Sequence, residues 1–464
     1  MDINTIKSAI TGNPEQSIAG LQSDWWTEVS PEIWPSHGSY LRDISGKEYL
    51  DFNGFFASSP VRFDHPDLRE KSFLEKISHA AIYRPTLSDF WTKEFAEFIQ
   101  IFRQLAVPSH MDHFFFIEGG ALSVENALKA AFDWKVRLNM QKQIITDDPQ
   151  EINQPLGTKV IHFENSFHGR SGYTLSITHT CDPRKYKYFP KFDWFTIDPP
   201  VLTFDNQGKV NNKPEVENKL EKAVEHLKTI LTQHGHDIAA IIIEPIQCEG
   251  GDRYLPRELF IQLRQLSEEY DVLLIYDEIQ TGFGTTGTMW AHEHFGKKAL
   301  PDLITFSKKA QTGGVMANHE KISRIKKHVF GNTEESKSRL NSTWGGNIVD
   351  MIRCAEYLKI IKKENLLQNT RVMGDYLLTS IQNLCQENSH LLGNPRGKGL
   401  LIGFDVIDAN HSHKELCHYF KQEYLLCLKC GNHTVRLRPH LDITKDEIDD
   451  GLQRMRKALS KLKA

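Results

Sequence analysis

Apolar and polar positions alternate along this chain in short blocks of two kinds. Compact apolar runs, His113–Glu118, Lys159–Glu164, Asp237–Pro245, Val272–Tyr276 and Leu303–Phe306, have the length and composition of buried strands. Between them lie longer stretches with the helical repeat. Positions 121, 124, 128 and 131 are apolar in the stretch from Leu122 to about Leu138. Leu220, Val224, Leu227 and Leu231 share one stripe of Pro214–Gln233, and Leu259, Leu263, Leu266 and Tyr270 one stripe of Arg257–Tyr270. Strand–helix–strand–helix order predicts an α/β fold with a doubly wound, mostly parallel sheet.

The pattern differs on either side of this region. Gly38–Asp43 and Tyr49–Phe52 read as a hairpin around Ser45-Gly46, followed by a loop of apolar and small residues, Asn53–Pro60. That loop suits core packing or the wall of a pocket. Ser88–Leu105 has helical periodicity, and Gln141–Thr158 and Pro199–Pro214 are polar loops. Beyond Gly331, a Gly-rich turn, Leu340–Asn347, opens a long helical region from Ile348 to about Asn388. Strands follow at Leu400–Val406 and Val435–Pro439. Thr444 and Glu447 have capping-box spacing before a last helix striped by Ile448, Leu452, Met455 and Leu459. The expected organisation is an N-terminal segment, 1–75, joining a small domain; a large domain, 76–335; and the C-terminal small domain, 336–464.

Composition narrows the class. The 464 residues are 39% hydrophobic and 25% charged, ordinary for a soluble protein, and a net charge of −4 gives no basis for binding nucleic acid. No apolar run approaches the ~18 residues of a membrane span. Residues 1–20 lack the apolar core of a signal peptide, and seven cysteines, an odd number, suit reduced thiols in the cytoplasm. Cys427 and Cys430 have redox-motif spacing, but no second pair accompanies them. They are expected to be buried strand thiols, and no metal site is expected.

The chemistry gathers at strand ends. The run Val272–Tyr276 delivers Asp277, Glu278 and Gln280; Leu303–Phe306 delivers Lys308 and Lys309. Groups just beyond the carboxyl ends of parallel strands sit where open α/β sheets bind ligands. A lysine amine there can hold an aldehyde, and an aspartate can keep a pyridine nitrogen protonated, a pairing that suits pyridoxal 5'-phosphate. Gly119-Gly120-Ala121, between a strand and a helix, could offer backbone N–H groups to a phosphate. Counting forward from Pro301-Asp302 selects Lys308 as the reactive amine, whereas counting back from Gly313-Gly314 favours Lys309. A strand tolerates an inserted residue less well than the turn after it, so Lys308 is expected.

Read together, Glu118–Lys129, Phe167–Tyr173, Glu244–Gln247, Asp277–Gly282, Ser307–Lys309, Thr343–Asn347 and Val435–Pro439 resemble the ordered motifs of the class III (ω-amino acid) aminotransferases. The resemblance runs from Gly38 to the last helix. It implies fold type I: a large domain whose mostly parallel sheet is sandwiched by helices, plus a small α+β domain from both termini. It further implies that Lys308 bonds the cofactor aldehyde and shuttles a proton, and that Asp277 pairs with the pyridine nitrogen. Phe167 would stack on the ring and Gln280 would bond its hydroxyl. Gly120 and Ala121 would hold the phosphate, with Thr343 reaching it from the other subunit of a homodimer. Arg170 and Arg436 would hold substrate carboxylates, and Glu249 would cover Arg436 when the substrate brings none. His168 is expected to hold a loop, and Arg438 to be structural. Within the class, the resemblance is greatest to members that move the ε-amino group of L-lysine to 2-oxoglutarate, giving 2-aminoadipate 6-semialdehyde and L-glutamate. The alternatives are ω-aminotransfer from γ-aminobutyrate or ornithine and, more distantly, a non-catalytic cofactor-binding regulator.

Overall fold

The computed structural model describes residues 29–145, 156–325, 327–333 and 336–462. Residues 1–28 and the middle of the polar insertion expected at Gln141–Thr158 lie outside the described residues.

A seven-stranded sheet forms the centre, in the spatial order His113–Ile117, Gly313–Ala317, Leu303–Phe306, Leu273–Asp277, Ile238–Ile243, Lys159–Phe163, Phe195–Ile197. The last five of these strands pair in parallel. Gly313–Ala317 runs antiparallel to both neighbours, because only a short turn separates it from Leu303–Phe306 and the chain must reverse. All six residues of Ile238–Ile243 are buried, since helices cover both faces of the sheet.

Alternate residues of each strand serve opposite layers. Ala240, Ile242, Leu273 and Ile275 pack on Val124, Ala127, Leu128, Ala131 and Trp134 of the Gly120–Gln141 helix. Ile241, Ile243, Leu274 and Tyr276 pack on Leu227 and Leu231 of the Lys213–His234 helix and on Leu259 and Leu263 of Arg257–Glu269. These layers are what the periodicity requires, and they place every parallel strand's carboxyl end on one rim.

A four-stranded antiparallel sheet, Leu392–Lys398, Leu401–Val406, Thr434–Leu437 and Leu428–Cys430, forms a second core. The hairpin Tyr40–Arg42 and Glu48–Asp51 joins this part of the molecule, because Glu48–Asp51 pairs in parallel with Leu425–Leu426. Cys427 and Cys430 are buried and free, with the Cys427 sulfur 3.5 Å from that of Cys417. Among the described residues, no helix is long and apolar enough to cross a membrane.

Three local expectations are corrected. The helix anticipated from Ser88 starts at Lys93, where the Thr92 hydroxyl accepts the Phe95 N–H and caps it. The long helical region divides into Ile348–Lys363 and Leu366–Glu387, broken at Asn365, whose φ is 53°. The Asn53–Pro60 loop contains a left-handed turn, with positive φ at Gly54, Phe55, Phe56 and Ala57. Glycine is required at its first position, since a Cβ there would stand 2.5 Å from the Arg438 carbonyl oxygen.

Candidate active site

The rim at the strands' carboxyl ends gathers most of the expected residues. Asp277 closes its strand, 3% exposed, paired in register with Thr305 of the neighbouring strand. One carboxylate oxygen accepts the Thr305 hydroxyl at 3.2 Å and the Ile279 N–H at 3.1 Å. The other lies 2.7 Å from His168 Nδ1. His168 is buried, and its Nε2 has no partner. Thus His168 ties the Phe167–Tyr173 loop to Asp277, as a loop-holding hydrogen bonder should.

Lys308 follows Thr305 by three residues and opens a tight turn, Lys308–Ala310. Its φ of 48° is left-handed, a conformation costing roughly 1–2 kcal/mol for a residue with a Cβ. This turn sends the adjacent lysines to different surroundings. Burial, and then the charge of Arg436, bring the Lys308 amine down to about 8; Cys248 and Glu249 also face it. Lys308 is partly exposed, and its amine makes no hydrogen bond among the described residues. Lys309 is 2% exposed, and its amine donates to the Ala57 carbonyl at 3.2 Å. Burial and Arg438 lower that amine to about 7. Lys309 therefore anchors the left-handed turn, while Lys308 faces the rim.

Gly119, with φ 86°, leads into the Gly120–Gln141 helix, whose first turn has no side-chain cap and no acidic residue. The N–H groups of Gly120 and Ala121 are thus open to an anion. A Cβ on Gly120 would stand 2.9 Å from Ile279, and one on Gly169 2.7 Å from the Ala121 side chain, so both glycines are needed for this close approach. Thr343 is exposed.

The charged wall comes from remote segments. Arg436, 3% exposed, donates to Glu249 at 3.0 Å and to Gln280 Oε1 at 3.5 Å; its Nε is buried without a partner. Glu249 receives a second cation, Lys185, at 2.5 Å. Burial alone would raise the Glu249 carboxyl, but Arg436 and Lys185 outweigh it and hold it below the usual carboxylate range. Arg438 is locked by Asp252, a wholly buried ion pair, and by the carbonyl of Leu437 at 2.9 Å. Arg170 lies exposed with its guanidinium carbon 5.9 Å from the Phe167 ring centre and makes no ion pair among the described residues.

Sequence reasoning missed two participants. Glu244 accepts the Phe167 N–H at 2.9 Å and the Cys248 N–H at 3.1 Å, and burial pushes it up to about 7. It sits inside the quoted Glu-Pro-Ile-Gln motif, which could have flagged it. Lys185 lies in a polar stretch with no signal at all.

A separate hollow lies away from this site. A cleft of about 540 Å³ at the opposite rim is lined by Lys135, Asp237, Tyr270 and Asp271. There the Lys135 amine is already bonded to the Asp271 and Tyr270 carbonyls, at 2.7 and 3.2 Å. The carboxyl-end rim, by contrast, combines an unbonded lysine, a buried aspartate and an open helix N-terminus.

The fold is that of a fold type I aminotransferase, and these features suit such a site. The class-III aminotransferase family model matches residues 27–459, and the chain belongs to that family. It is 40% identical to the L-lysine-epsilon aminotransferase of Mycobacterium tuberculosis over 434 residues, 93% of this chain and 92% of that protein. With the L-lysine-epsilon aminotransferase of Amycolatopsis lactamdurans the identity is 36% over 92% and 91% of the two chains. The mitochondrial 4-aminobutyrate aminotransferase of Sus scrofa is 30% identical over 88% of this chain and 80% of that one. A solved lysine aminotransferase from M. tuberculosis superposes with a TM-score of 0.89 at 36% identity, covering 100% of both chains. The expected fold and family are thus found.

The family depends on pyridoxal phosphate. The residues present fit it: an unbonded amine held near neutrality, a buried carboxylate fixed by His168, and a glycine-lined helix N-terminus.

Proposed function

We propose that this chain transfers the ε-amino group of L-lysine to 2-oxoglutarate, giving 2-aminoadipate 6-semialdehyde and L-glutamate. The observation that carries this reading is Glu249 paired with Arg436 at 3.0 Å beside the Lys308 amine. An amine donor whose reacting end carries no carboxylate leaves Arg436 without a substrate partner. A buried unpaired guanidinium is costly, and Glu249 removes that cost. The similarity to two lysine-epsilon aminotransferases supports the same donor.

Bound pyridoxal phosphate supplies an aldehyde to hold the amine and a ring that takes up electron density. Lys308 holds that aldehyde at rest and afterwards moves a proton at the reacting carbon. Asp277, kept in place by His168 and Thr305, would pair with the pyridine nitrogen; such a charge-assisted bond is worth roughly 1.5–3 kcal/mol. Phe167 covers one face of the ring, Gln280 bonds its hydroxyl, and the N–H groups of Gly120 and Ala121 hold the phosphate. Arg170 holds the far carboxylate of either substrate. Arg436 holds the carboxylate beside the keto group of 2-oxoglutarate after Glu249 leaves. Thr343 completes the phosphate site across a homodimer, and the enzyme acts in the cytoplasm. The two-domain division, with a large domain over 76–335, is part of this reading.

Turnover with L-lysine, L-ornithine and γ-aminobutyrate, each with 2-oxoglutarate, tests it. Lysine is expected to be the preferred donor. No turnover of lysine ends the proposal, and preference for either other donor reassigns the substrate.

A further inference from the structure

Glu249 is held by two cations of different character. Arg436 stands on a central strand of the small sheet, Thr434–Leu437, its side chain 4% exposed. Lys185 ends a short turn, Pro183–Lys185, in a largely exposed stretch, its side chain 13% exposed. Its amine bonds the Glu249 oxygen that Arg436 does not use and lies 5.6 Å from the Phe167 ring centre. The Glu249 side chain is 25% exposed, so it has somewhere to go.

In the exchange at Arg436, the substrate carboxylate replaces Glu249. The arginine stays neutralised throughout. Glu249 does not: once released, it is a partly buried carboxylate whose remaining counter-ion is Lys185. A lysine has a flexible stem of four carbons and three donors, so it can follow a moving carboxylate, which a guanidinium packed on a strand cannot do. We infer that Lys185 is a specificity-determining positioning residue, the cation that receives Glu249 when a dicarboxylic substrate displaces it from Arg436. The inference rests on the exchange of Glu249 described above. It adds a second station to that exchange, and it makes acceptance of 2-oxoglutarate depend on a residue outside the strand-end site.

A contrary role is a static one. If Lys185 only braced Glu249 against Arg436, its loss would loosen the closed pair and harm the lysine half-reaction. If Lys185 is the receiving station, its loss leaves the closed pair with Arg436 and harms the other half. The two half-reactions of the pyridoxal-phosphate-loaded enzyme can be followed separately by cofactor absorbance. Lys185→Met is expected to lower the second-order rate constant with 2-oxoglutarate about tenfold, while that with lysine stays within about twofold. Lys185→Arg, which keeps the charge, is expected to restore most of the loss. Equal losses in both halves, a loss confined to the lysine half, or failure of the arginine to rescue each overturns the inference. Glu249→Ala serves as the reference and is expected to slow the lysine half-reaction selectively. If Glu249→Ala shows no such selectivity, the exchange itself is wrong and Lys185 falls with it. If Glu249→Ala is selective and Lys185→Met is not, only the role of Lys185 is lost.

Discussion

The two halves of the site are built on opposite plans. The cofactor half, Asp277, Lys308 and the Gly120 helix terminus, comes from neighbouring ends of one sheet, and its carboxylate is fixed by His168 at 2.7 Å and Thr305 at 3.2 Å. Nothing in it needs to move far. The proposed substrate half takes Arg170, which makes no ion pair among the described residues, together with Lys185, Glu249 and Arg436, drawn from remote segments and joined by ion pairs. The contrast is sharpest between Arg436 and Arg438, two residues apart. Arg438 is tied to a fully buried Asp252, whereas Arg436 is tied to a Glu249 that is 25% exposed. On the proposed reading, the fixed groups would hold the cofactor and the less buried ion pair would serve two substrates in turn.

That comparison can be broken at several points. The largest effect should come from Lys308→Ala, which is expected to abolish the covalent cofactor absorbance band and lower turnover by roughly 10⁴-fold or more. Lys309→Ala should keep that band. A band lost in Lys309→Ala but kept in Lys308→Ala would transfer the role to the second lysine.

On the fixed side, Arg396, on a strand of the four-stranded sheet, is 4% exposed. It donates to Asp405 at 2.8 Å and to the carbonyls of Asp252 and Gly251 at 2.8 and 2.6 Å. Arg396→Met should destabilise the fold by about 3–5 kcal/mol, the cost of breaking a buried charged network. Denaturant unfolding measures this, and a loss below about 1 kcal/mol would place Arg396 among the movable charges.

Asp277→Asn removes the fixed negative charge while keeping the shape. Turnover should fall about 10–100-fold, matching loss of a charge-assisted bond of roughly 1.5–3 kcal/mol, with protein stability little changed. Steady-state kinetics beside a thermal melt would separate the two.

The smallest effect is a pH shift. An amine must be neutral to attack an aldehyde, and a folded Lys308 near 8 rather than the ordinary 10.5 loses its proton across that lower range. The rate at which cofactor-free protein recaptures pyridoxal phosphate should therefore rise with pH and level off above about 8. A rise that continues past pH 10 would mean that burial and Arg436 do not depress the amine.

Much of the fixed half was legible from the chain, because strand ends are local: an apolar run followed by Asp277, and another followed by Lys308, already name a rim. The choice between Lys308 and Lys309 was less so. It depends on a positive φ at Lys308, which directs one amine to Arg436 and Glu249 and the other to the Ala57 carbonyl. A break at Asn365 and a left-handed turn at Gly54–Ala57 escaped periodicity for the same reason, since single backbone angles leave no repeat.

Phe195–Ile197 and Gly313–Ala317 came only from the structure; hydrophobic periodicity by itself determined the other five of the seven central strands, the helices between them, the burial of the parallel strands and the rim on which chemistry gathers. These follow from side-chain spacing of two and 3.6 residues, which each segment carries alone. Only the tertiary structure decided that His168 meets Asp277, and that Lys185 joins the Glu249–Arg436 pair expected from the resemblance, in one charged chain across 251 residues of sequence (436 minus 185). Charged pairs have no periodicity; they form where folded segments bring opposite charges within bonding distance, out of reach of much of the water that would screen them.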